Sequence, residues 1–282
     1  MSAMEPSFDR YGSSPPASPV VVSVPHAGRD YPAALIDALR VPVAALRSLE
    51  DRRIDAVALA AGGAETMLIQ RRARAWIDLN RSEDERDPRV DAGAPPLPAI
   101  PSAKLRSGLG LVPRRAGGVG DIWRQRFSAA AMAKRIAEDH RPYHTALAEA
   151  LQAARSRFGA AVLLDLHSMP SLGRLQPRIV IGDRFGTAAD ARFTGRVEAT
   201  VVAARLPCGL NAPYPGGHVT QAHGNPAAGI HAIQIEIDRS LYLDTRMDDV
   251  GPGLPRIAAL IRAVIDDLSD EALARPIPVA AE

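Results

Sequence analysis

The sequence contains a single cysteine, Cys208, in 282 residues. One thiol cannot close an internal disulfide, so a packed core has to hold the fold, and the chain suits a reducing compartment. Cys208 lies in Leu206-Pro207-Cys208-Gly209, with no base or cation beside it to activate a thiolate. It is expected to be a small, partly buried apolar residue and not a nucleophile. Apolar runs of about 18 residues, the length that spans a bilayer, are missing. So is the basic start with an apolar stretch that marks a secretory signal. The expectation is a cytoplasmic protein with no membrane partner. Lysine is scarce, with only Lys104 and Lys134, and the formal net charge is +2. Arginines are scattered among Asp and Glu, and the nearest approach to a basic run, Arg71-Arg72-Ala73-Arg74, is short. No nucleic-acid partner is therefore expected. The Gly-x-Ser-x-Gly elbow of serine hydrolases does not occur.

What is present is a chain with 46% hydrophobic residues, enough for a sizeable core. Residues 1–18 are rich in Ser and Pro and read as a flexible leader, residues 274–282 as a flexible tail, and residues 19–273 as one α/β domain. Within it, Val20 to Val24, Glu65 to Gln70, Ala75 to Leu79, Ala160 to Leu166, Ile179 to Gly182 and His231 to Asp238 read as strands. Helices are expected over Ala33 to Arg40, Val43 to Ala60, Asp190 to Leu206 and Pro255 to Leu268. Asp121 to Arg157 reads as a helical hairpin with Pro142 in the first turn of its second helix. Ser82 to Gly120 reads as a long active-site loop and Asn211 to Pro226 as a Gly/Pro/His-rich loop, within which Tyr214 to Gly224 reads as a mobile lid or as an ordinary Gly-rich connection. Buried strands alternating with helices imply a mostly parallel sheet covered on both faces.

The chemistry-bearing residues gather at the ends of strands. His26 follows Val20 to Val24, and His167 follows Val162 to Leu166. Ligands bind at the carboxyl ends of strands in open α/β sheets, and two converging imidazoles suit zinc. Singly, each histidine better fits a hydrogen-bonded, partly buried residue or a metal-free catalytic base; the pair at equivalent strand ends turns the reading toward metal. If Leu166 faces the core, Asp165, two residues before His167, shares its side of the strand, where it either orients His167 or caps a turn at the strand end. In Ile233-Gln234-Ile235-Glu236-Ile237, period two puts three isoleucines on one face and Gln234 and Glu236 on the other. Periodicity alone favours an edge strand with Glu236 merely solvated; a general base is the functional alternative. Asn80 and Arg81 end the run Ala75 to Leu79 and offer an amide and a bidentate cation, a pairing that suits a substrate carboxylate and equally fits a surface turn.

Taken together, Val24-Pro25-His26-Ala27-Gly28, Asp78-Leu79-Asn80-Arg81, Gly110-Leu111-Val112-Pro113, Arg141-Pro142-Tyr143-His144, Asp165-Leu166-His167-Ser168 and the stretch Gln234 to Tyr242 resemble the N-formylglutamate amidohydrolase family in order and spacing. The resemblance implies a three-layer α/β/α fold with a mostly parallel mixed sheet, like that of the zinc carboxypeptidases. It implies one zinc held by His26, a carboxylate and His167, with Glu236 as general base and acid. Asn80 and Arg81 would hold the α-carboxylate of a small-molecule substrate, and Arg74 would face the oxyanion. An acid three residues after the first histidine belongs to the carboxypeptidase pattern, but Arg29 stands there. The resemblance points instead to an acidic pair ahead of an Ile/Val-Asp, matched by Glu50-Asp51 before Ile54-Asp55, and so implies Asp51 as the carboxylate ligand, ahead of Glu50 and Asp30. A dianionic substrate needs a further cation, with Arg114, Arg115 and Arg239 as candidates. The implied reaction is hydrolysis of N-formyl-L-glutamate. The alternatives are deacylation of another N-acyl amino acid, a non-catalytic carboxylate-binding protein, and a metal-free serine hydrolase using Ser168.

Overall fold

The central strands are apolar on both faces, which buries them in the middle of a sheet. In the computed structural model, which describes residues 6–274, the chain runs β1 (Phe8–Tyr11), β2 (Val20–Val24), α1 (Ala33–Ala38), α2 (Ile54–Ala61), β3 (Thr66–Gln70), α3 (Ala103–Arg106), β4 (Arg115–Ala116) and β5 (Gly120–Asp121). It continues through α4 (Ala129–Arg135), α5 (Arg141–Phe158), β6 (Ala161–Met169), β7 (Ile179–Gly182), α6 (Ala191–Ala203), β8 (Cys208–Leu210), α7 (His218–His223), β9 (Ile230–Asp238) and α8 (Leu254–Leu273). Seven strands form one mixed sheet in the order β1-β3-β2-β6-β9-β7-β8. The four central strands β3, β2, β6 and β9 are parallel, β1 and β7 run against their neighbours, and β8 is parallel to β7.

Side-chain alternation sorts the sheet into two faces. Val20, Val22, Val24, Leu164, Leu166, Ile233, Ile235 and Ile237 pack against α2, α6 and α8. Val21, Leu163 and Ala232 face α5 on the other side, against Tyr143, Leu147 and Leu151. These layers give the three-layer α/β/α architecture. On the α5 face the residues change character along each central strand. The apolar ones lie toward the amino ends, whereas Ser23, Asp165, His167, Gln234 and Glu236 lie toward the carboxyl ends. The register pairs Ser23 with Asp165, Asp165 with Gln234 and His167 with Glu236. One polar patch is thus assembled across three adjacent strands.

Several local expectations are corrected. Part of the expected leader is β1, which closes the sheet edge against β3. Of the expected tail, only Ala274 falls within the described residues. The Val43 to Ala60 helix is broken into a 3-10 turn, Val43–Leu49, and α2, because Arg53 adopts a left-handed backbone. The break leaves Asp51 in an extended stretch whose N–H donates to the His26 carbonyl at 3.0 Å. Ala75 to Leu79 joins no ladder; it is an irregular buried segment pinned by Asp78 N–H to Leu111 O at 2.8 Å. Ser82 to Gly120 carries α3 and β4 and is not wholly irregular. The expected hairpin is one continuous helix from Ala129 to Phe158. It accommodates Pro142 through a π turn, Ile136–His140, in which the Arg141 N–H reaches back to Ile136 O. The expected lid contains α7, whose Val219 and Thr220 are buried. Among the described residues, no helix is long and apolar enough to cross a membrane.

The turn that carries His26 is pressed onto the chain after β3. A Cβ at Gly28 would lie 2.0 Å from the Arg72 carbonyl oxygen and 2.6 Å from that of Arg71. Both are backbone atoms and neither yields cheaply. Gly28→Ala is expected to destabilise the protein by about 1–3 kcal/mol in denaturant unfolding, as overpacking does; an unchanged midpoint would show that this contact is not a constraint.

Candidate active site

Three elements converge where the central strands end. His26 is delivered by the turn after β2, Asp51 by the break before α2, and His167 by β6; all three are buried. The Asp51 Oδ2 atom lies 2.8 Å from His167 Nδ1 and 3.6 Å from His26 Nδ1. The ring centroids are 4.7 Å apart. Each imidazole has its other nitrogen on a separate carboxylate: His26 Nε2 on Asp78 Oδ1 at 2.7 Å, and His167 Nε2 on Asp165 Oδ2 at 3.0 Å. Asp165 is in turn fixed by Ser23 Oγ at 2.8 Å, and Tyr143 contacts Ser23 at 2.9 Å. Two carboxylates that accept from Nε2 leave both Nδ1 atoms facing Asp51. His26 Nδ1 is buried with no hydrogen-bond partner. One ligand atom from each of the three residues lies within 4.8 Å of the others. Two imidazole nitrogens and a carboxylate, each imidazole backed by a second carboxylate, form a donor set that fits a catalytic zinc.

The charges are strongly coupled. Burial by itself would raise the Asp51 carboxyl, but the hydrogen bond with His167 and the closeness of His26 overcome it and hold Asp51 well below the usual carboxylate range. Burial would lower His167, but Asp165 and Asp51 together raise it well above an ordinary histidine. Burial would also raise Asp78, which Arg74, His26 and Arg81 instead pull well down. Glu236 behaves in the opposite way. Burial pushes its carboxyl up to about 7, with Asp51 adding to the effect and His167, Arg74 and Arg239 opposing it. Its Oε1 accepts from Gln234 Nε2 at 3.0 Å.

A cavity of about 450 Å³ opens over these groups, and His26, Asp51, Arg74, Asn80, Arg81, His167 and Glu236 all line it. Glu236 is on a central strand and is buried, so the edge-strand reading of β9 is corrected. Arg74 gives its Nε to Asp78 Oδ2 at 2.8 Å; its terminal nitrogens have no hydrogen bond among the described residues. Arg81 is held by the Leu109 carbonyl at 2.9 Å. The Asn80 amide is occupied at both ends: Oδ1 accepts from Val219 N–H at 2.9 Å, and Nδ2 donates to Gln234 Oε1 at 3.3 Å. Gly217 N–H also donates to Gln234 Oε1, at 3.0 Å, so the segment expected as a lid is tied to the cavity wall.

Sequence reasoning missed Lys104 and Tyr214, which line the cavity. Lys104 has no carboxylate partner among the described residues, and burial lowers its ammonium. Its rarity as a lysine was the only signal. Of the candidate extra cations, Arg239 lines the cavity, with its guanidinium on Asp51 Oδ1 at 3.1 Å and Ser168 Oγ at 3.0 Å. Arg114 is buried against Asp87 and Asp121, and Arg115 is exposed against Asp121, so neither reaches it. Ser168 faces Arg239 while both nitrogens of His167 face carboxylates, an arrangement without a serine–base pair. Cys208 lies in β8 at the sheet edge, and burial pushes its thiol up to about 11.

Fold and site together define a three-layer α/β hydrolase whose polar centre sits at the carboxyl ends of its middle strands. The profile of the N-formylglutamate amidohydrolase family matches residues 18–243, and the chain belongs to that family. It is 32% identical over 269 residues to an N-formylglutamate deformylase of Pseudomonas aeruginosa, covering 91% of this chain and 93% of the other. It is 31% identical over 236 residues to an N-formylglutamate deformylase of Pseudomonas putida, covering 80% and 82%. A crystal structure of N-formylglutamate amidohydrolase from Ralstonia eutropha JMP134 superposes with a TM-score of 0.84 at 31% identity, covering 94% of this chain and 98% of that one. The chain is an amidohydrolase.

The raised Glu236 carboxyl has a consequence for stability. Its folded value of about 7 lies above the ordinary 4.5, so the folded state holds the proton more tightly than the unfolded one. Stability therefore falls as pH rises through that window and stays low above it. With no metal bound, Glu236→Gln is expected to raise the melting temperature above pH 7 and to have little effect below about pH 4.5. An equal shift at every pH would mean that Glu236 titrates normally.

Proposed function

We propose that the chain hydrolyses the formyl amide of N-formyl-L-glutamate to formate and L-glutamate, as a cytoplasmic enzyme holding one zinc ion on His26, Asp51 and His167. One observation carries the reading: two buried Nδ1 atoms, one of them without a partner, converge on Asp51 at 3.6 and 2.8 Å. When bound there, zinc supplies Lewis acidity toward the amide carbonyl and toward water.

The chain's own residues do the rest. Glu236, buried beside this centre and with a carboxyl near neutrality, takes a proton from the attacking water and returns it to the leaving amine. Arg74 keeps its Nε on Asp78 and turns its free N–H groups to the carbonyl oxygen as that oxygen gains charge. Arg81, fixed by backbone carbonyls, binds the α-carboxylate with its remaining donors, and Asn80 holds the adjoining wall in place. The second carboxylate of the substrate falls to Lys104, because Arg239 is already committed to Asp51 and Ser168. Lys104 Nζ lies 5.8 Å from the centre of the Tyr214 ring, across the same cavity.

Formate release by the purified protein, assayed with metal content before and after chelation, tests the reading. Glu236→Gln is expected to lower kcat by about 10²–10⁴-fold with the metal retained. Loss of the metal in that variant would make Glu236 a ligand, and unchanged kcat would remove it from the proton transfers. Arg81→Ala is expected to raise KM by about 10–100-fold for every N-formyl amino acid, from the loss of charge-assisted hydrogen bonds. Lys104→Ala is expected to do so for N-formylglutamate and not for N-formylalanine, which has no second carboxylate. Equal losses on both substrates would place Lys104 elsewhere in the mechanism.

A further inference from the structure

Behind the Leu79 to Arg81 segment lies a second group of chemically active side chains that the proposed reaction does not use. The long helix provides His140 at the end of its π turn and His144 one turn later, and α7 provides His218 and His223 at its two ends. One nitrogen from each of His140, His144 and His218 lies within 4.8 Å of the other two. His144 and His223 contact each other through Nδ1 and Nε2 at 2.9 Å.

The tautomers follow from the backbone. His140 Nε2 lies 2.8 Å from the Arg81 carbonyl oxygen, and His144 Nε2 lies 2.9 Å from that of Leu79. A carbonyl oxygen only accepts, so both Nε2 atoms carry the proton and both Nδ1 atoms present lone pairs. This is the backing that metal-bound imidazoles use. His140 is 97% buried, being 3% exposed, and its Nδ1 has no hydrogen-bond partner. The nearest carboxylate oxygen, from Glu83, stands off at 3.7 Å and is committed to Arg141. His218 makes no hydrogen bond among the described residues; its ring centroid is 5.1 Å from that of His144 and 5.9 Å from that of His140. Burial lowers all four rings, with His144 pushed down to about 2 and His223 to about 4, and neighbouring imidazoles add to it for His144, His218 and His223. Neutral imidazole is the form that binds metal.

We propose that His140, His144 and His218 form a second metal site, for a divalent transition ion such as zinc. An all-imidazole set suits zinc and its first-row neighbours. The ion would bridge the long helix, through His140 and His144, and α7, through His218. Its effect is to staple α7 to the long helix. Gly217 and Val219, at the start of α7, hold Gln234 and Asn80 in the cavity wall, so the ion fixes that wall from behind.

The test separates the two metal sites. Full-length His167→Ala, stripped and re-equilibrated with Zn²⁺, is expected to retain one zinc ion per chain, and His167→Ala with His218→Gln none. Zn²⁺ is expected to raise the melting temperature of the first variant and not of the second. Equal zinc content in the two would overturn the proposal. Should the double variant fail to fold, Co²⁺ bound to the His167→Ala protein gives the answer instead: a tetrahedral spectrum supports the site, and that of hydrated Co²⁺ overturns it. His218→Gln alone reports on the first site, because zinc retained there depends on His167 and not on α7.

Discussion

The Asp51 carboxylate, buried between two imidazoles at the base of the cavity, is the constraint around which the molecule is arranged. Taking a carboxylate out of water costs several kcal/mol unless charge and hydrogen bonds replace the solvent. Here the replacements come from three side chains. His167 and His26 face one oxygen and Arg239 faces the other, while the backbone N–H of Asp51 is fixed on the His26 carbonyl. None of these groups is near Asp51 in sequence except through the turn at Arg53. The site therefore exists only when β2, β6 and β9 are in register and the chain before α2 has left the helical conformation.

The same logic runs outward through the polar layer. Asp78 accepts from His26, from Arg74 and from the Asn80 backbone. Asp165 accepts from His167 and from Ser23, which Tyr143 also contacts. Each anion is thereby satisfied by groups whose own positions are locked by the sheet or the long helix. Glu236 is the exception. It has only Gln234 as a direct partner, and burial leaves its carboxyl near neutrality. A structure that surrounds the other acids of the site with donors and leaves this one short of partners keeps a proton acceptor at a cost in stability, the usual trade at a catalytic centre.

Much of this could be read from residue order. The histidines at the ends of β2 and β6 and the alternation in β9 are local patterns, and they appear where strand geometry places them. The side of Asp165 shared with His167 follows from period two, and the contact forms as that geometry requires. Whether β9 is an edge or a centre strand is a different kind of question. Its alternation is identical in both cases, and only the neighbours β6 and β7 decide that Glu236 is buried. Asp51 lies in a stretch of good helical periodicity, and nothing local announces the left-handed Arg53 that breaks it. The π turn before Pro142 and the pairing of β1 are likewise set by tertiary packing. Lys104 stands in a segment without periodicity, so its approach to the cavity depends on how the long loop folds back.

The segment from Asp78 to Arg81 shows most clearly why an element can be misread while its residues are rightly chosen. It was expected to end a strand, and its alternation is strand-like, yet it pairs with no ladder. Buried backbone groups outside a ladder still need partners. Asp78 and Asn80 turn their side chains to the site, while the carbonyls of Leu79 and Arg81 point the other way and are satisfied by His144 and His140. A sheet strand could not do this, because its carbonyls would be spent on neighbouring strands. The irregular backbone lets one short stretch orient His26 on one side and fix two histidine tautomers on the other. Each of these rings donates from Nε2 to a backbone carbonyl and keeps the lone pair of its Nδ1 on the side away from that segment.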